Sequence, residues 1–138
     1  MHKILDIDIQ KYVNPILRVG VALIFIWFGT QQLMHPSSWI SFIPDFLVSW
    51  TGISVWTFVA LNGAFEVVFA FCLIAGFYTR ISALHLAAHM LIITIVVGYN
   101  ATGVRDFGVF LASVAVFTNG IDRYCLDRLI EKFEFEDA

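Results

Sequence analysis

An all-α fold, a four-transmembrane-helix antiparallel bundle, follows from three observations. Hydrophobic residues make up 59% of the 138-residue chain against 14% charged, and mean hydropathy is +0.83, a balance far more apolar than that of soluble domains. Four apolar runs, about residues 15–34, 55–78, 81–99 and 104–121, are each close to the ~20 residues that cross a hydrocarbon core of about 30 Å. The connections are short and no run alternates with period two, so a bundle of helices is the architecture that satisfies every backbone group inside lipid. Residues 1–138 are then expected to form one membrane domain, with no soluble catalytic domain or nucleotide-binding loop.

The first element follows MHKILDIDIQKYVN, where Lys3 and Lys11 mix with Asp6 and Asp8. The apolar run from Pro15 is longer than a signal-peptide core and lacks a small-residue cleavage site, so it is expected to remain as a first span. From Pro36 to Gly52, Trp39, Phe42, Phe46 and Trp50 recur at helical intervals interrupted by Pro44. This pattern predicts a short amphipathic segment anchored in the outer interface, with a lid over the bundle as the alternative. Little more than Phe77 to Arg80 separates the second and third spans, which forces a tight antiparallel hairpin and makes residues of matching depth neighbours. After the fourth span, Leu126, Leu129, Ile130 and Phe133 repeat at i, i+3, i+4 and i+7 and predict an amphipathic cytoplasmic helix. From Asp122 onward six acids stand against three bases; the acidic end is expected to fray, and the chain offers no basic footprint for nucleic acid.

Lys3, Lys11, Arg18, Arg80, Arg123, Arg128 and Lys132 fall on the side of the termini and Arg105 alone on the other. The positive-inside rule then puts both termini in the cytoplasm. Tyr12, Tyr78 and Tyr124 mark the inner interface and Trp39, Trp50, Trp56 and Tyr99 the outer, as aromatic belts do. Arg18 and Arg80 lie at the inner boundary, where snorkelling to lipid phosphates is the expected role of Arg18, and pairing to a cofactor head group is the alternative. Arg105 breaks the charge rule and has Asp106 beside it, so a specific contact is expected there.

Glu66 is the only formally charged side chain between Ile53 and Thr79. A charge at the centre of a membrane helix costs roughly 2.5 to 3.5 kcal/mol on insertion scales, so such residues face protein or water and mark functional paths. Asn62 lies one turn before it on the same face. In the third span His85 and His89, four apart, share a face, and the hairpin brings His89 to the depth of Glu66. Asn62, Glu66, His85 and His89 are expected to form one polar seam. A carboxyl group and two imidazoles inside a bundle suit proton movement or hydrogen bonding to a quinone-like carbonyl. Mutual satisfaction as packing bonds, worth about 0.6 to 2 kcal/mol apiece, is the competing account. Two His at i, i+4 with one Glu leave no fourth ligand for Zn or Fe, so no metal site is assigned, nor any catalytic residue. Cys72 and Cys125 are far apart and outside any CxxC, so no disulfide relay is expected. Cys72 reads as a small buried residue and Cys125 as a juxtamembrane thiol open to acylation.

The stretch NGAFEVVFAFCLIAGFYTRISALHLAAHM, Asn62 to Met90, resembles the central signature of the DoxX-like membrane proteins: a mid-helix glutamate, an apolar run ending in Gly, then Thr-Arg and an Ala/Leu-rich helix. LRVGVALIFIWFGTQQL resembles that family's first span, and VRDFGVFLASVAVFTNG with the following Asp-Arg-Tyr its last span and tail, from about Leu17 to Asp127 in all. One departure is Gln32, where the family often has Lys. The resemblance implies a four-helix protein of a prokaryotic cell membrane linked to quinone-coupled respiratory or thiosulfate-oxidising complexes. It also implies that Glu66 and Arg80, and after them Arg18 and Arg105, are family-defining. Three functional readings are open: an accessory subunit of a membrane redox complex with quinone as its cofactor; a scaffold, chaperone or cargo-binding partner of membrane or peripheral proteins; and a small transporter, for which no internal repeat or broken helix speaks.

Overall fold

Each apolar run becomes one helix, and small polar or glycine residues set its ends. The computed structural model describes residues 10–136; Lys3, Asp6, Asp8 and Asp137, used in the charge reading, lie outside the described residues. Helix α1 spans Gln10–Met34; two 3₁₀ turns, Pro36–Ser38 and Ile40–Phe42, lead to the short α2, Asp45–Thr51. Helices α3 (Val55–Ala75), α4 (Thr79–Val97) and α5 (Ala101–Asn119) follow, then α6 (Leu126–Glu136). Ser54 caps α3 by accepting the Thr57 N–H at 3.2 Å. The Asn100 side-chain oxygen caps α5, accepting from the N–H groups of Thr102 and Gly103 at 2.9 and 3.0 Å, so both helices that start at the loop end carry their own stop for orphan donors. The acidic end of α6 stays helical to Glu136 instead of fraying.

Helices α1, α3, α4 and α5 are long and apolar enough to cross a membrane, and they form an up-down-up-down ring in which α1 packs closely on α3 and α4 on α5. The α3–α4 and α1–α5 contacts that close the ring are looser. The hairpin between α3 and α4 is therefore tight in sequence and wide in space, because aromatic rings stand between its arms: Phe65 against His89 and Phe69 against His85, both with centroids 4.8 Å apart. Between α1 and α3 the reverse holds. A Cβ on Gly29 would come 2.6 Å from the Gly63 carbonyl oxygen, so the two backbones cross where neither helix has a side chain, a close approach familiar in membrane bundles.

The core joins Val21, Ala22 and Phe25 of α1 with Ala70 and Leu73 of α3, Ala83, Leu86 and Met90 of α4, and Val109 and Val116 of α5. The same inward stripes carry Arg18 and Gln32 on α1, Glu66 on α3 and Asp106 on α5, all buried. Outward, Ile16, Leu23, Trp27, Phe71, Ile92 and Ile95 are exposed, and helices apolar on every side are at home in lipid.

At the end of the bundle that carries α6, the chain ties a closed knot. Arg18 is 3% exposed; its Nε lies 2.7 Å from Asp122 Oδ2, and its Nη1 donates to the Leu73 and Ile74 carbonyls. This corrects the snorkelling expectation. The last carbonyls of α3 lack helical partners, and a guanidinium with five donors satisfies them and a carboxylate together. Cys125, expected to be open to acylation, is 1% exposed, with its Sγ 3.3 Å from the Asp122 nitrogen and 3.4 Å from Thr79 Oγ1. Gly76 has φ 69°, and a Cβ there would come 2.5 Å from Cys125 Cα, so both conformation and space call for glycine. Asp127 accepts from Tyr78 N, Thr79 N and Thr79 Oγ1 at 2.6, 2.7 and 2.8 Å. It thus caps α4 from α6 and holds Tyr78 at its unusual φ of 46°. Arg80 is exposed, with its guanidinium laid over Gly120.

Candidate functional site

The Gly29–Gly63 crossing sets the site. Gln32 and Glu66 each lie three residues beyond the glycine of their own helix, and the contact of the two backbones brings their side chains into reach. Gln32 Nε2 donates to Glu66 Oε2 at 3.0 Å, and Asn62 Nδ2 donates to Glu66 Oε1 at 3.2 Å and to Gln32 Oε1 at 2.7 Å. From α4, His89 Nε2 lies 3.1 Å from Glu66 Oε1. Glu66, 1% exposed, thus gathers three hydrogen-bonding groups from three helices, which offsets the desolvation of its carboxyl group.

Of the four residues expected in one seam, the structure brings Asn62, Glu66 and His89 together and leaves His85 apart. His85 is exposed, with Nδ1 2.8 Å from the Ile81 carbonyl and its ring stacked on Phe69 at 12°. A step of four residues on a straight helix turns the second side chain about 40° from the first, enough here to put His89 at the edge of the core and His85 outside it. Gln32 is the member that spacing on one hairpin did not reveal. Its signal lay in the inward stripe of α1, where Arg18, Val21, Ala22, Phe25, Gly29 and Gln32 recur at steps of three and four.

Glu66 and His89 line a cavity of about 220 Å³ near the loop end of the bundle. Phe28, Phe58 and Met90 give it apolar walls, and Trp39, Phe42 and Leu47 of the connection between α1 and α3 close over it. That connection therefore roofs the cavity, the alternative raised for its amphipathic pattern. Trp39 is part-buried and stands edge-on to Phe28 at 5.7 Å. Phe46 and Trp50 face outward, as do Trp56 and Tyr99.

On α5, Arg105 and Asp106 also line the cavity. Arg105 Nη2 and Nε lie 2.7 and 2.8 Å from Asp106 Oδ1, and the guanidinium stands 4.8 Å over the Phe28 ring, the contact that the isolated base suggested. Arg80 and Arg18 lie at the far end and have no part in the site. Among the described residues, no group of three or more His, Cys, Asp or Glu is arranged to hold a metal ion.

No curated protein and no solved structure matches the chain. The family model named DoxX matches residues 14–99, which takes in α1 to α4 and with them Gln32, Asn62, Glu66 and His89, while the Val104–Gly120 resemblance falls outside the match. With more than half of its length matched and four bilayer-length apolar helices in one bundle, the chain belongs to the DoxX family of multi-pass integral membrane proteins.

Proposed function

We propose that the protein is an accessory subunit of a quinone-linked membrane redox complex and that its cavity holds the quinone ring. One observation carries this reading: Glu66 and His89, with Oε1 and Nε2 3.1 Å apart, form part of the wall of an aromatic-lined cavity among bilayer-length helices. An apolar cavity of roughly 150 Å³ admits benzene, so a space of about 220 Å³ suits one substituted six-membered ring. His89 donates a hydrogen bond to a ring oxygen, and Gln32 and Asn62 hold the Glu66 carboxyl group in place beside it. The seven-to-one distribution of bases supports cytoplasmic termini, and the family resemblance supports a prokaryotic cell membrane with redox subunits as partners.

A scaffold, chaperone or cargo-binding module is the second reading. It is favoured by one fact: among the described residues, no buried side-chain nitrogen or oxygen lacks a partner, as a purely structural cluster requires. Quantifying quinone on protein purified in mild detergent separates the two. The redox reading expects wild type and His85→Ala to retain quinone, and His89→Ala to lose about tenfold in affinity while remaining folded. Wild-type protein that carries no quinone and shows no saturable binding, yet co-purifies with a protein partner, leaves the scaffold reading standing.

A further inference from the structure

The cavity touches a second acid–base pair that the Glu66 cluster does not use. Asp106 is 3% exposed in the inward stripe of α5, and both of its contacts with Arg105 fall on one oxygen, Oδ1. Oδ2 has no hydrogen-bond partner among the described residues, and it is not sealed in protein. Arg105 is held in place by this contact and by the Phe28 ring, with its side chain about half exposed at 49%. In the ring of four helices α3 and α5 stand on the diagonal, so Glu66 and Asp106 approach the same cavity from opposite sides. Both carboxyl groups border the same cavity of about 220 Å³, room for one six-membered ring between them.

We propose that Arg105 and Asp106 form a second binding pole, so that the cavity selects planar rings carrying oxygen at both ends over rings with one polar end; the inference rests on the ring-binding reading above. Each pole pairs a donor with an acceptor. At the α5 pole an Arg105 N–H donates to a carbonyl oxygen and Asp106 Oδ2 accepts from a hydroxyl; at the α3 pole His89 and Glu66 serve the same two ends. Both the carbonyl and the hydroxyl form of a two-ended ring are therefore satisfied without moving the protein. A one-ended ring leaves the second pole facing apolar surface.

The full-length protein, purified in mild detergent and kept anaerobic, is titrated with tetramethylhydroquinone and with the matching tetramethylphenol, which keeps ring and methyl groups and lacks one hydroxyl. Wild type is expected to bind the hydroquinone about tenfold more tightly. In Asp106→Asn and Arg105→Gln that preference is expected to fall to within about twofold, with helical content and elution unchanged. Equal binding of the two compounds by wild type, or a preference that survives in both folded variants, overturns the second pole and leaves the ring-binding function intact. Binding of neither compound overturns both. The wild-type comparison uses no substitution, so it decides the matter even where a variant does not fold.

Discussion

Two polar clusters occupy opposite ends of this bundle, and they differ in what surrounds them. At the α6 end Arg18, Asp122, Cys125 and Asp127 tie α1 and the α3–α4 turn to the C-terminal segment. Their donors and acceptors are used on backbone groups or on one another, and of the four only Asp127 borders a hollow, a shallow one open to the surface between the α3–α4 turn and α6. At the loop end Glu66 is as deeply buried, yet its partner His89 is part-exposed and both border an aromatic-lined cavity. Burial of a charge in a membrane helix thus marks structure where the surroundings are filled, and a site where space has been left beside it. The two ends should respond differently to substitution.

The largest effect is expected at the filled end. Arg18→Met leaves the buried Asp122 carboxylate without its cation and the Ile74 carbonyl without its donor, while the Tyr124 and Gly76 N–H groups still reach Asp122 Oδ1 and the Leu73 carbonyl, and breaking a buried pair from one side costs about 3 to 5 kcal/mol. Unfolding in detergent should show that loss. Arg18→Met combined with Asp122→Leu should recover part of it, since removing both charges leaves neither stranded. A single variant as stable as wild type would show that the knot carries no structural weight.

Glu66→Leu comes next, at about 1 to 3 kcal/mol, because it takes the acceptor from Gln32 Nε2 and the partner from His89 while Asn62 keeps its bond to Gln32, though groups bordering a cavity can turn to water. Glu66→Gln should preserve the fold. If the leucine variant unfolds like wild type, the hydrogen-bonded cluster is not formed; if it loses more than Arg18→Met does, the contrast between the ends is reversed. Asp127→Ala removes the cap that α6 places on α4 and should cost about 0.5 to 2 kcal/mol, with quinone retention unchanged. The smallest effect belongs to His85→Ala, within about 0.5 kcal/mol. A loss of retention there to match His89→Ala would put His85 back in the site.

Most of the fold was legible because it depends on one-dimensional signals. Apolar runs of bilayer length and a four-residue hairpin determine which helices exist and which way each points, and they bring His89 to Glu66. What escaped depends on helix rotation and on residues distant in sequence. Arg18 and Asp122 stand 104 positions apart, and nothing local distinguishes an arginine that snorkels from one that supplies donors to the end of a neighbouring helix. Gln32 became visible only through the Gly29–Gly63 crossing, because that contact fixes which face of α1 meets Glu66. His85 was lost in the opposite way: sharing a face with His89 is a statement about one helix, and the wedge of Phe65 and Phe69 decides how far that face reaches into the core. The roof formed by Trp39, Phe42 and Leu47 was present in the sequence as an amphipathic pattern, but lipid and a cavity are equally good solvents for its apolar side.

Inside the cavity a ring oxygen is expected to hydrogen-bond to the Glu66–His89 pair. Infrared difference spectroscopy of an isotopically labelled quinone added to the purified protein reads that bond directly, because a donor to a carbonyl lowers its stretching frequency. Wild type should show a lowered carbonyl band that returns toward the free-ligand position in His89→Ala and is unchanged in His85→Ala. A bound quinone whose carbonyl bands match those of the free ligand, or the absence of any bound quinone, would contradict it.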